Sequence, residues 1–334
     1  MKYTDLSIKD KQDVIDRVQA ENGLNRQLIE KDWWVTAVLR ALFALPYRNH
    51  ISFKGGTNLS KCWHLINRMS EDADIAIDRE YLGFEGYLSK TQISDKLRRA
   101  ACSFVRDKLQ FDLKEQLIKD GIKEEYFTVN VNITPITTTD PETIEVIYQP
   151  LYSDSPYVRA KVIVEVSGRS MSEPIVPIKL HSFIDDVFTS APFTEKNFEV
   201  RAVVPQRTFL EKVFLLHEEF AKPLERRRTE RMSRHLYDIG QMMDTSIAEE
   251  ALSDKDLYYS VVEHRRTFIG LKGFDYNTLS PHNINLHLPD DSYEAWKDDY
   301  ETMQESIIYG DSLPFEKLLD KIYSLNDRIN KLTF

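Results

Sequence analysis

Residues 53–78, FKGGTNLSKCWHLINRMSEDADIAID, constrain the fold of this chain more than any other segment. A short strand over 50–54 runs into Gly55-Gly56, where Thr57 is placed to cap a helix reaching about Ile66. Residues 73–78 then alternate apolar and polar, the pattern of a half-buried strand. Alternate residues of a strand share a face, so Asp72 and Asp74 project together while Ala73, Ile75 and Ile77 face a core. Asp78 falls at the solvated strand end.

The same segment carries chemistry. Two neighbouring carboxylates repel unless a cation or a proton lies between them. A hard divalent ion such as Mg²⁺, held by one or two carboxylates and by substrate phosphates, fits such a pair. Gly55 and Gly56 let the backbone approach a ligand, and the first N–H groups of the following helix favour an anion. Taken singly, a Gly-Gly is commonly a turn and an Asp-x-Asp a solvated edge. Their joint spacing in strand–turn–helix–strand order points to phosphoryl or nucleotidyl transfer.

At about 100–200 residues per domain, 334 residues suggest two domains or one enlarged by insertions. Two helices fit residues 7–45, the second from Leu28 to Leu45. Residues 91–119 fit a long charged helix. Strands fit 126–133, 143–149 and 158–166, expected as neighbours, and 198–204. From Gln206 the pattern turns helical, over 206–220, 233–244, 247–265, 291–309 and 314–332. The reading is therefore an α/β front half and a helical back half.

Composition narrows the class further. Two cysteines cannot build a disulfide framework, no apolar h-region opens the chain, and no apolar run is long enough to span a bilayer. A cytoplasmic protein with no membrane partner is expected. The formal net charge of −10 argues against a broad basic nucleic-acid face. The charge is uneven, however: residues 222–236 carry a net +4, and residues 290–311 hold eight acids against Lys297 alone.

The motifs resemble those of the nucleotidyltransferase superfamily and, more closely, the AbiEii/AbiGii toxin family of prokaryotic abortive-infection and toxin–antitoxin systems. The likeness rests on Glu30-Lys31-Asp32-Trp33-Trp34-Val35, the Gly-Gly segment, Ser70-Glu71-Asp72-Ala73-Asp74-Ile75, Pro205–Val213 with Leu216-His217, and Arg234-His235-Leu236-Tyr237-Asp238-Ile239. The motifs follow in order from about residue 28 to 243. Thr57 stands where many members have Ser, Gln241 where some have Lys, and the gap from Thr57 to Glu71 is slightly long.

The resemblance implies a polymerase-beta-like mixed-sheet α/β (α+β) domain over 1–204, and a helical domain over 205–334 completing the active-site cleft. It implies an NTP substrate and a Mg²⁺ or Mn²⁺ cofactor. Gly55, Gly56 and Thr57 would hold the triphosphate, and Asp72 and Asp74 the metal. Glu165 would be the third carboxylate, unless it is an exposed strand residue paired with Lys161. Lys212 would neutralise phosphate charge, although spacing alone favours a solvated helix face. Asp238 would position Lys212 or act as general base, the alternative being a surface pair with Arg234. His217 could approach the same site or simply pack. Arg227, Arg228, Arg231 and Arg234 would touch RNA or the NTP tail, unless they form a solvated junction. An RNA acceptor (a tRNA 3′ end among the candidates), or a protein hydroxyl, and a cognate antitoxin are the expected partners. A nucleotide-binding module without turnover is the alternative from another class, and a metal nuclease the second enzymatic one. Cys62-Trp63-His64 does not make a zinc site, and Trp33, Trp34 and Phe43 are expected in the core.

Overall fold

Valines alternate with Lys161, Ile163, Glu165 and Ser167 along Lys161–Ser167, and this strand is central to the architecture: Val162, Val164 and Val166 are fully buried, and the residues between them half-exposed. The computed structural model describes residues 1–133, 142–152, 158–171 and 173–334. They fall into two units. The first comprises Met1–Cys62 and Ser70–Val203, the second Trp63–Met69 and Val204–Phe334.

Among the described residues, the first unit is built on a seven-stranded mixed sheet. Its strands are β1 (Ile51–Lys54), β2 (Asp72–Ile77), β3 (Phe127–Asn132), β4 (Thr143–Tyr148), β5 (Lys161–Ser167), β6 (Ile175–Leu180) and β7 (Phe198–Val203), in the order β3-β4-β5-β2-β1-β7-β6. β2 pairs in parallel with β5 and β1 with β7; the other pairings are antiparallel. The strands expected over 126–133, 143–149 and 158–166 are indeed neighbours. β6 escapes the sequence pattern because Pro177 interrupts it; an edge strand tolerates a proline that a central one would not.

Helix α1 (Ile8–Asn22) ends at Gly23 in the left-handed region, and α2 (Arg26–Ala44) opens where the Asn25 side chain accepts the Gln27 N–H at 2.9 Å. α2 is buried nearly all round, as a core helix is, and packs on β2, β5 and β7. Trp33, Trp34 and Phe43 are core residues, and Trp34 stacks on Tyr148 with ring centroids 4.7 Å apart. The helix expected over 91–119 is present, with π-helical turns at Gln92–Leu97 and Val105–Leu109 around α4 (Arg98–Phe104) and α5 (Gln110–Lys119). A short α6 (Phe183–Val187) precedes β7.

Helix α3 (Gly55–Lys61) stops well before Ile66. The chain instead takes His64 into the left-handed region and joins the second unit as a strap. There Met69 donates its N–H to the Ile307 carbonyl at 2.8 Å, and Tyr309 to that of Asn67 at 3.0 Å.

The second unit is helical. α7 (Pro205–Phe220) starts on a proline, whose missing N–H costs nothing at a first turn. α8 (Ser233–Met242), α9 (Ile247–Ser253), α10 (Lys255–His264), α11 (Tyr293–Ser306) and α12 (Phe315–Asn330) complete it. The single helix expected over 247–265 is two, because the Asp254 side chain accepts the Leu257 N–H at 2.8 Å and starts a new helix. No helix among the described residues is long and apolar enough to cross a membrane.

Candidate active site

In the first unit, pairing register gathers the charged residues. Asp74 is aligned with Lys54 on β1 and with Glu165 on β5, so the three share one row. Asp72 lies on the same face two residues away, and Ala73, Ile75 and Ile77 are buried on the other. Lys54 is not singled out by the motif pattern; only its register with Asp74 brings it to the site, where its Nζ lies 3.1 Å from Ser170 Oγ. Lys161 pairs with Glu145 at 2.5 Å, not with Glu165.

Gly55 has φ +78°, and a Cβ added there would lie 1.8 Å from Asp74 Oδ2. The glycine therefore lets a carboxylate approach its backbone as well as adopt a left-handed turn. Thr57 does not cap the helix. The N-cap is Lys54, and Thr57, 1% exposed, donates its hydroxyl to the Asp72 carbonyl at 2.5 Å and lies 2.9 Å from Ser70 Oγ. It fastens the Gly-Gly helix to the entry of β2.

Beneath this entry, three consecutive charged residues of α2 are all buried. Glu30 accepts the Leu151 N–H at 2.8 Å. Lys31 donates to Glu71 Oε2 at 3.1 Å, to the Arg159 carbonyl at 2.9 Å, and to that of Lys161. Burial pulls the Lys31 amine down, and Glu71 opposes it. Asp32 holds Lys61 and accepts the Phe183 N–H at 2.8 Å. The motif is thus a clamp on the segments around Asp72.

Two carboxylates on one face, with a glycine cleared beside one of them, suit a divalent cation that completes its shell with water and phosphate oxygens. Among the described residues no three His, Cys, Asp or Glu side chains gather into a protein cage, and Mg²⁺ does not need one.

In the second unit, Lys212 of α7 and Asp238 of α8 meet at 2.9 Å. Lys212 Nζ also lies 3.3 Å from His235 Nδ1. Arg68, on the strap, donates Nε and Nη2 to the two Asp238 oxygens at 2.7 and 2.8 Å. Burial alone would raise the Asp238 carboxyl, but Arg68 and then Lys212 outweigh it and hold it well below the usual range. Burial pulls the Lys212 amine down against the pull of Asp238. Burial, then the Lys212 and Arg234 charges, push His235 far down, so it is neutral and Nδ1 can accept. Asp238 is therefore no surface partner of Arg234. With both oxygens engaged and little proton affinity, it suits the positioning role better than the base role.

Two other groups of expected residues are spent elsewhere. His217 packs, with Nε2 3.0 Å from Thr278 Oγ1 and Nδ1 accepting the Asn285 N–H at 2.9 Å. The basic and acidic stretches meet inside this unit. Arg227 is held by Asp291 and Ser292, and Arg228 by Glu219 at 2.8 Å. Asp299 accepts the Arg231 N–H at 2.6 Å, supporting φ +59° at that residue. Arg227 and Arg228 are thus ion-paired, Arg228 from an exposed position, while Arg234 lies near the Lys212 cluster.

The histidine makes a pH prediction. The folded pKa of His235 lies below its unfolded value of about 6.5, so its contribution is full above that pH and is lost as pH falls below it. His217 has the same sign. Melting temperature is expected to fall between pH 7.5 and 5, and His235→Asn to flatten part of that fall. Equal slopes in both proteins would contradict the burial of a neutral imidazole.

A mixed sheet with a Gly-Gly helix set against an Asp-x-Asp strand is of the nucleotidyltransferase class. Residues 37–321 match the family model described as the nucleotidyl transferase AbiEii toxin, type IV toxin–antitoxin system. The chain belongs to this family and is a toxin-type nucleotidyltransferase. A search of the curated proteins gives no match. Among solved structures, the chain is similar to MenT4, a nucleotidyltransferase toxin from Mycobacterium tuberculosis, at 14% identity and TM-score 0.44, covering 96% of this chain and 99% of that one. It is also similar to JHP933 from Helicobacter pylori, at 14% identity and TM-score 0.36, covering 84% and 97%.

Proposed function

We propose that the protein transfers a nucleoside monophosphate from an NTP to a hydroxyl of RNA, a tRNA 3′ end being the first acceptor to test, or of a protein. The acceptor oxygen bonds to the α-phosphorus, the bond to the bridging oxygen breaks, and pyrophosphate leaves. Asp72 and Asp74 would hold Mg²⁺ or Mn²⁺, with Glu165 as a third carboxylate. When bound, the ion supplies charge neutralisation at the phosphates. Gly55 and Gly56 would offer backbone N–H groups to the triphosphate. Thr57 acts by fixing the strand entry. Lys212, aimed by Asp238, adds a point cation. Growth arrest or abortive infection is the expected outcome in a cell, relieved by a cognate antitoxin, with the cytoplasm as the site of action.

The observation that carries this reading is the Asp74 carboxylate seated on Gly55, which ties the metal-binding candidate to the phosphate-binding one. Titration with each NTP, with and without Mg²⁺, tests it. The expected result is saturable binding that depends on the divalent ion and is weakened in Asp74→Asn. Tight binding unaffected by either, with no product formed, would instead identify a non-catalytic nucleotide-binding module.

A further inference from the structure

We infer that Arg68 is a positioning residue of the transfer reaction: its guanidinium fixes the Asp238 carboxylate, and that carboxylate aims the Lys212 ammonium at substrate phosphates. The inference rests on the reading of Lys212 as a phosphate contact.

The geometry is that of a fixed relay. A two-point guanidinium–carboxylate pair sets the carboxylate plane as well as its place. Here both Arg68 donors engage Asp238, at 2.7 and 2.8 Å, and Asp238 Oδ2 then accepts from Lys212 at 2.9 Å. Arg68 itself is anchored. Its main chain bridges to Ile308, its Nη1 donates to the Met69 carbonyl at 3.1 Å, and the residues on either side of it are hydrogen-bonded to 307 and 309. Arg68, Asp238 and Lys212 are 3%, 0% and 7% exposed, so none can swing into water to choose another partner.

Charge points the same way. With Lys212 protonated, Arg68, Lys212 and Asp238 carry one net positive charge, and the neutral His235 does not offset it. Lys212 and Asp238 alone would already balance. An extra buried cation is costly unless an anion joins it, and a purely structural clamp has no use for it. A triphosphate supplies that anion. Among the described residues, Asp238 and His235 take two of the three Lys212 N–H donors, which leaves one for a ligand oxygen.

Arg68 also has a telling place in the chain. It lies in the connection between the Gly-Gly helix and the Asp-x-Asp strand, yet it packs in the helical unit. One continuous segment thus carries the phosphate-binding candidate, the residue that orients Lys212, and the metal-binding pair.

Label transfer from an α-labelled NTP to total RNA, measured for the full chain, tests the relay. Arg68→Gln is expected to lower kcat about 10- to 100-fold, the size of effect that a misplaced charged group produces. Arg68→Lys, which keeps the charge but loses the fork, is expected to remain defective. Arg68→Gln added to Lys212→Ala is expected to cost nothing further, because the first acts only through the second. Multiplied defects, or wild-type rate in Arg68→Lys, overturn the inference.

A second readout is independent of turnover. Competitive acetylation of Lys212 against pH, read by mass spectrometry, is expected to shift upward by about one unit in Arg68→Gln, since a neighbouring cation is gone. An unshifted profile overturns the inference. If the wild-type protein transfers no label from any NTP, the reading of Lys212 as a phosphate contact fails, and the acetylation profile alone decides whether Arg68 governs Lys212.

Discussion

Asp74→Asn is expected to lower nucleotidyl transfer about 10³-fold or more while leaving the melting temperature nearly unchanged. The amide has the shape of the carboxylate but cannot neutralise a divalent ion. Asp74 is half-buried, so the change leaves no cavity. Its row holds Lys54 and Glu165, and the fully buried face of β2 lies on the other side. Excess Mn²⁺, which binds nitrogen and oxygen donors more readily than Mg²⁺, should recover part of the activity. A variant with wild-type rate would remove Asp74 from the metal-binding pair.

Gly55→Ala is the second large effect, and it separates two costs. The left-handed backbone at φ +78° penalises any Cβ by about 1–2 kcal/mol. In addition, the new methyl would sit 1.8 Å from Asp74 Oδ2, so the carboxylate must leave its place. Activity is expected to drop about 100-fold, the consequence of moving a reactive group by an ångström or so. Gly83→Ala is the control. Its φ is +85° with nothing within 4 Å of the added Cβ, so it pays the backbone cost alone and keeps full activity. Equal activity loss in the two variants, or none in Gly55→Ala, would show that the Gly55–Asp74 contact does not matter to the chemistry.

Much of the fold was legible because burial imposes a period. Residues 161–167 are rich in β-branched residues, with Val162, Val164 and Val166 on one face, and β5 follows from that pattern. Asp72 and Asp74 could be placed on one face by the same rule. The features that escaped depend on contacts between distant residues. β6 carries Pro177, which only its edge position excuses. Thr57 reads as a cap from its neighbours but is bonded to residues 13 and 15 positions on. Arg68 sits 170 residues from Asp238, in the connection just beyond the expected helix. Nothing local in the run of arginines shows that Asp291 and Glu219 pair with Arg227 and Arg228. Motif spacing finds groups that act in one stretch of chain; it does not find their distant partners.

The net charge of −10 is thereby better understood. Within the helical unit Asp291 of the acidic stretch pairs with Arg227 of the basic one, and Asp299 accepts the Arg231 N–H. Contact with an acceptor RNA would then fall to few cations and depend strongly on salt.

The most direct measurement is incubation of the protein with each α-labelled NTP, Mg²⁺ and total RNA, followed by separation of labelled RNA, labelled protein and free nucleotide. The prediction is label on an acceptor with at least one NTP, release of pyrophosphate, and loss of both in Asp74→Asn. Label on no acceptor with any NTP, or RNA that is shortened instead of extended, would contradict nucleotidyl transfer as the function of this site.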